Sequence, residues 1–214
     1  MLKLQTCFRS GVGGRGRNED ACGYWTSDAC GCWVVSDGAG GHGGGDVASR
    51  LVVSTVLGAY AEDPLVASEK VVALLQEANA AVMTRKAGGG VTRDMHATIV
   101  LLLADRSSGL AVWGHVGDTR IYLFRSERVL YHPPPHSVVQ TMVDAGYGDA
   151  AMIRSHPQRS LLTSAIGLSE DVELTVSAKP LQLHSGDVFL LCTDGWWEHV
   201  QESEMERLLG ASAG

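Results

Sequence analysis

Long apolar runs are missing from this sequence. No stretch of ~18 or more apolar residues occurs, so the chain is predicted to carry no membrane-spanning helix. The opening MLKLQTCFRSG is too short and too polar for a secretory leader, which points to a cytoplasmic protein. Charge is sparse, at 19% of residues, and its balance is −7, with no basic stripe along any segment. That disfavours nucleic acid as a partner. Gly-Lys-Ser/Thr occurs nowhere, which excludes a P-loop. Paired cysteine spacing is also lacking: Cys30 and Cys32 are two apart, not the C-x-x-C of a zinc or redox site. With Cys7, Cys22 and Cys192 in apolar runs, the five cysteines read as reduced, mostly buried thiols.

What is present is enough apolar sequence, 45% of 214 residues, to bury a sizeable core, and the length suits one domain over 1–214. Strand-type runs rich in Val, Ile, Thr, Trp and Tyr fall at 3–8, 21–26, 31–36, 97–104, 109–116, 119–125, 172–178 and 187–193. Two stretches have helical period. Residues 46–61 put Val47, Leu51, Val52, Thr55 and Ala59 near one face, and residues 67–87 do so with Val71, Leu74, Leu75, Ala78 and Val82. Residues 87–94 read as a loop, and 133–160 as short helices in irregular chain. The tight link between 109–116 and 119–125 predicts an antiparallel hairpin. Strands, two helices, then strands again is not the alternation of a doubly wound parallel sheet.

Residues 34–45, VVSDGAGGHGGG, are half glycine, and Gly38, Gly40 and Gly43 satisfy G-x-G-x-x-G. A dinucleotide reading fails on its acid. Glu62-Asp63 ends a helix rather than a second parallel strand, and Asp37 would aim a carboxylate at the pyrophosphate. A nicotinamide-dependent oxidoreductase is therefore disfavoured. Asp37 has counterparts instead: Glu19 and Asp20 before an apolar run, Asp118 in a predicted turn, and Asp194 at the end of FLLCTDG. Any one of these could be a cap or turn residue. As a set near strand ends they could not all stay ionised without cations, and hard divalent ions such as Mg²⁺ or Mn²⁺ take oxygen ligands of this kind.

The ordered segments RGRNEDA, VVSDGAGGHGGGDVAS, HATIVLLLAD, VWGHVGDTRIYLFR, HSVVQTMVDAG, HPQRSLLTSAIG and GDVFLLCTDGWWEHV resemble the metal-dependent protein phosphatases of the PP2C (PPM) family, the bacterial serine/threonine type. The resemblance implies an α+β fold: a four-layer α-β-β-α sandwich of two antiparallel sheets, each flanked by a helix pair. It implies two central Mn²⁺ or Mg²⁺ ions. Asp37 would bridge them, with the Gly38 carbonyl on one, Asp194 on the other, Asp20 reached largely through water, and Glu19 beside it. Asp118 matches the acid of a third, weaker site, and Arg15 the phosphate-binding arginine. A water activated by the metal pair would attack phosphorus, with no covalent phosphoenzyme. His42 is a candidate general acid toward the leaving seryl or threonyl oxygen, with packing or hydrogen bonding as its alternative role. His96, His115 and His199 are expected as surface or satisfied core residues. The implied partner is a phosphoprotein made by a serine/threonine kinase.

Two departures stand out. Pro135 replaces the aspartate that usually precedes the His-Ser of this segment, and no aspartate follows Asp194, where the family places a further metal ligand. The second leaves open a catalytically weak or inactive module that binds phosphoproteins. It also predicts an unpaired sheet edge after the strand at 187–193, with weak binding at one metal position.

Overall fold

A computed structural model describes residues 2–40 and 44–212. The chain begins its regular structure with β1 (Asp20–Thr26) and β2 (Cys30–Ala39), antiparallel and in a register that sets Asp20 opposite Asp37. Ser27 closes the turn between them, its hydroxyl accepting from the amides of Ala29 and Cys30. Helices α1 (Gly45–Glu62) and α2 (Ser68–Ala87) follow, then β3 (His96–Ala97), β4 (Ile99–Asp105) and β5 (Leu110–Val116). Next come β6 (Arg120–Arg125), β7 (Arg128–Tyr131), α3 (Val138–Asp144) and α4 (Met152–Ser155). The described chain closes with β8 (Thr175–Val176), β9 (Leu181–Gln182), β10 (Val188–Cys192), α5 (Asp194–Trp197) and α6 (Glu202–Ser212).

These strands form two antiparallel sheets. In the first the order is β1-β2-β4-β5-β8, with β3 beside β2 and β9 beside β5; in the second it is β10-β6-β7. Period-two alternation explains the layers. On β2, Cys30, Cys32 and Val34 face α1 and α2, while Trp33 and Val35 face the other sheet. Val100, Leu102 and Trp113 of the first sheet meet Ile121, Phe189 and Leu191 of the second. On the outer side of that second sheet, Tyr122, Phe124 and Cys192 lie under Ile153, Trp197 and Met205 from α4, α5 and α6. The result is the α-β-β-α sandwich. All five cysteines are free; Cys30, Cys32 and Cys192 are buried and Cys7 is exposed.

Several local expectations change. The buried face of α2 is the predicted one, but on α1 it is Ala48, Val52, Val53, Val56 and Tyr60, with Val47, Leu51 and Ala59 only partly covered. The buried face of α1 also takes in the polar Asp46 and Ser49, so apolar period alone does not locate it. Residues 3–8 form no strand. Leu2 and Leu4 lie on the inter-sheet core, and the segment is held by Leu2 N–H to the Arg106 carbonyl and by the Trp33 indole to Thr6 Oγ1, both at 2.9 Å. The hairpin predicted between 109–116 and 119–125 does not exist. β5 is already paired with β4 on one edge and with β8 and β9 on the other, so the chain crosses from one sheet to the facing one. Gly117, at φ +93°, makes that corner, and a Cβ there would lie 2.5 Å from Thr98 Cγ2. No helix is long and apolar enough to cross a membrane, among the described residues.

Candidate active site

The sandwich brings four of the predicted acids to one end, where the sheets face each other. Asp37 ends β2 and Asp20 begins β1. The Asp37 backbone is fixed by Thr98, whose amide donates to the Asp37 carbonyl at 2.8 Å and whose hydroxyl accepts the Asp37 amide at 3.2 Å. Asp194 opens α5 immediately after β10, in the other sheet. Thr193 joins the two sheets here, its hydroxyl donating to Asp20 Oδ2 at 3.2 Å. Asp118 lies in the crossover from β5 to β6. It was expected near solvent in a hairpin turn, but it is 6% exposed, because the crossover runs between the sheets.

The charges show that these acids share one field. Burial, then the charges of Asp194, Asp20 and Asp118, push the Asp37 carboxyl up to about 8, against the opposing charge of Arg15. Burial, then Asp194, push Asp118 up to about 7. Asp20 is also raised, by burial first and by Asp194, with hydrogen bonds from Thr193 and Asp37 and the charge of Arg15 pulling the other way. Arg15, on an exposed loop, is thus within electrostatic reach of both Asp20 and Asp37. Raised acids in an all-oxygen donor set are what a hard divalent cation relieves. Yet no group of three or more His, Cys, Asp or Glu side chains stands at direct ligating spacing among the described residues. The donor chemistry fits Mg²⁺ or Mn²⁺ held by few direct carboxylate bonds, with water and backbone carbonyls completing the shell.

Gly38 is tightly enclosed. Its amide donates to the Glu19 carbonyl at 3.1 Å, and a Cβ at this position would stand 1.9 Å from the Gly45 carbonyl oxygen. A Cβ at Gly45 would in turn be 2.7 Å from Glu19 Oε1, which places the Glu19 side chain at the start of α1. Gly38→Ala should therefore cost ~3 kcal/mol or more, because the clash is with backbone that cannot rotate away. Urea denaturation checks this; a loss below ~1 kcal/mol would mean that the loop yields freely. His42 lies outside the described residues.

The supports of the acids were not anticipated. Thr98, Thr193 and Trp197 carry no charge and no motif of their own, so only their position in the fold singles them out. Trp197 donates its indole N–H to the Asp118 carbonyl at 3.0 Å. The His136 and Gly117 backbones are joined, His136 N–H to Gly117 O at 2.9 Å, and Gly117 N–H donates to His136 Nδ1 at 3.1 Å. Its Nε2 then carries the proton and donates to Thr175 Oγ1 at 2.8 Å. The chain after Pro135 therefore docks onto the Asp118 crossover. His115 stacks on His136, with ring centroids 4.6 Å apart. It is buried, with no well-aligned hydrogen bond to either ring nitrogen among the described residues; burial first and then the neighbouring His136 push it down to about 3, against the pull of the nearby Gly117 backbone.

Known proteins share this fold. The family model described as protein phosphatase 2C matches residues 14–212. The serine/threonine phosphatase stp of Listeria innocua is 31% identical over 201 residues, covering 91% of this chain and 78% of that one. The structure is similar to serine/threonine phosphatase Stp1 from Staphylococcus aureus, with TM-score 0.83, 25% identity, and coverage of 98% of this chain and 85% of that one. It is also similar to the Mycobacterium tuberculosis serine/threonine phosphatase PstP, with TM-score 0.73, 27% identity, and coverage of 93% and 86%. The order of the motifs, the sandwich and the acids gathered between its sheets have one explanation: this chain belongs to the protein phosphatase 2C family of serine/threonine phosphatases.

Proposed function

We propose that this chain hydrolyses phosphoserine and phosphothreonine in cytoplasmic phosphoproteins, using Mn²⁺ or Mg²⁺ at the acid cluster. The observation that carries the reading is the pair of half-buried Asp37 and buried Asp118, pushed up to about 8 and about 7 beside Asp194. Asp37 and the Gly38 carbonyl would hold the central ions with Asp194, while Asp20 and Glu19 would act largely through water; Asp118 would hold the third. Bound there, the ions supply Lewis acidity and a water acidified for in-line attack on phosphorus. The protein's part is to place those oxygens. Thr98 fixes Asp37, and Thr193 aligns Asp20 with the strand that delivers Asp194. Arg15, the guanidinium facing the acids, would hold the phosphate oxygens by a bidentate, charge-assisted contact and orient phosphorus toward the water.

Metal-dependent hydrolysis of p-nitrophenyl phosphate and of a phosphothreonine peptide tests the reading. Peptide binding without hydrolysis at any Mn²⁺ or Mg²⁺ concentration would instead identify a phosphoprotein-binding module. Arg15→Ala should raise KM for the phosphopeptide roughly tenfold to a hundredfold with Mn²⁺ affinity little changed, since a hydrogen bond to a charged group is worth ~1.5–3 kcal/mol. Unchanged kinetics would make Arg15 an ordinary surface residue.

A further inference from the structure

Trp197 is almost fully enclosed, at 1% exposure, and it sits on the last turn of the short helix that Asp194 opens. Its only polar atom is spent on the other acid's segment: the indole N–H donates to the Asp118 carbonyl at 3.0 Å. The ring is held on its faces by cations. The Arg120 guanidinium lies 3.7 Å from its centroid and that of Arg154, from α4, lies 5.8 Å away. Both arginines are anchored by a network that ends on Glu202. Arg120 donates to Tyr122 Oη at 3.0 Å, the Tyr122 hydroxyl donates to Glu202 Oε1 at 3.1 Å, and Arg154 donates to the same Glu202 oxygen at 2.6 Å. The indole is therefore held by Arg120 of β6 and Arg154 of α4, both tied to Glu202 of α6.

We propose that Trp197 is a positioning residue that ties the Asp118 crossover to the Asp194 helix and so sets the strength of the cation site at Asp118. The inference rests on the reading of Asp118 as a metal acid. The physical need is plain. Asp118 and Asp194 come from different segments, and their like charges drive those segments apart. The other ties of the crossover run elsewhere: Gly117 to His136, and the Thr119 hydroxyl to the Thr98 hydroxyl beside Asp37. Of the ties described here, the indole bond alone joins the crossover to the helix that carries Asp194. A buried tryptophan would pack equally well with its N–H on any acceptor. Here the acceptor belongs to the acid itself, and Arg120, stacked on the ring, adds positive charge next to it. The geometry thus makes the spacing of two carboxylates depend on one neutral hydrogen bond.

Trp197→Phe keeps an aromatic ring under Arg120 and removes the donor. Wild type, Trp197→Phe and Asp118→Asn should be titrated with Mn²⁺, with free Mn²⁺ followed by its electron paramagnetic resonance signal, and turnover and KM on p-nitrophenyl phosphate measured in parallel. The expected result is that Trp197→Phe weakens the weakest Mn²⁺ step about three- to tenfold, the loss of one net hydrogen bond. Tighter steps and KM should stay within about twofold, and turnover should recover at saturating Mn²⁺. Asp118→Asn should lose the weak step altogether. If Trp197→Phe titrates like wild type while Asp118→Asn loses that step, the positioning role is overturned and the metal reading stands. If Asp118→Asn keeps every step, both fall. Should Trp197→Phe fail to fold, benzothienylalanine introduced at position 197 keeps the indole shape without its donor; the same weakening is expected, and an unchanged weak step overturns the proposal.

Discussion

Asp37→Asn should cut turnover by on the order of a thousandfold or more, and in the same protein raise the stability of the metal-free form. The two effects have one cause. Asp37 is pushed up to about 8 by burial first and by three neighbouring acids after it. In the unfolded chain the same group ionises near ~4. Below that pH both states hold the proton and nothing is lost. Between ~4 and 8 the unfolded chain gives up its proton while the native site keeps it, so metal-free stability falls as pH rises, and the loss levels off above 8. At its full extent this penalty is about 5 kcal/mol as an upper bound. Asparagine has the same shape and no charge to desolvate, so at pH 8.5 the metal-free variant should be the more stable by roughly 2 kcal/mol after the cost of its own buried amide. The gap should close at pH 4. Urea denaturation in chelator at both pH values reads this, alongside turnover with Mn²⁺. A variant less stable than wild type at pH 8.5 would mean that Asp37 serves the fold rather than a cation.

Much of this site was legible in the sequence because its acids announce themselves. An aspartate near the end of an apolar run and followed by glycine, as at Asp37-Gly38 and Asp194-Gly195, stands out in the sequence; at Gly38 the glycine is required, since a Cβ would lie 1.9 Å from the Gly45 carbonyl oxygen, whereas at Gly195 a Cβ would meet nothing closer than 3.9 Å. The apolar face of helix α2 was legible in Val71, Leu74, Leu75, Ala78 and Val82, although Asn79 is buried with them. The partner of β6 was not. A short link between two strands looks the same whether the chain folds back in one sheet or crosses to another, and the choice is made by β8 and β9, two-residue strands that occupy the free edge of β5 from sixty residues away. That single misreading put Asp118 in a hairpin turn, where the structure buries it between the sheets. The strand predicted at 3–8 failed for a related reason: Leu2 and Leu4 reach the inter-sheet core from chain that pairs with no strand, while Cys7 and Phe8 are exposed. Thr98, Thr193 and Trp197 left no trace because a neutral hydrogen bond becomes visible only when its partner's place is known.

Mn²⁺ binding, taken over all sites, should weaken by on the order of several hundredfold between pH 8 and pH 6, because the ions and protons compete for the same oxygens. Asp37, held up to about 8, and Asp118, held up to about 7, both carry protons at pH 6. A divalent ion needs them as carboxylates, so each must give up its proton on binding. Every proton released makes the apparent affinity change tenfold per pH unit until the pH passes the group's own value, and above pH 8 the dependence should flatten. The stabilisation given by saturating Mn²⁺ should therefore grow from pH 6 to pH 8, over the same window in which the metal-free protein loses stability through these two acids. His115 acts with the opposite sign. Kept neutral by burial to about 3, it lowers stability as pH falls below the ~6.5 at which the unfolded histidine takes up a proton. For that reason the measurement must be the difference made by Mn²⁺ at each pH, not the stability itself. Calorimetric titration in two buffers of unequal ionisation heat counts the protons directly, and release of roughly one to two per molecule is expected at pH 6 to 7. Affinity that is flat from pH 6 to 8, with no proton released, would mean that these carboxylates are already ionised without metal. Their mutual repulsion would then be answered by the protein's own cations, and the acid cluster would lose its claim to hold a divalent ion.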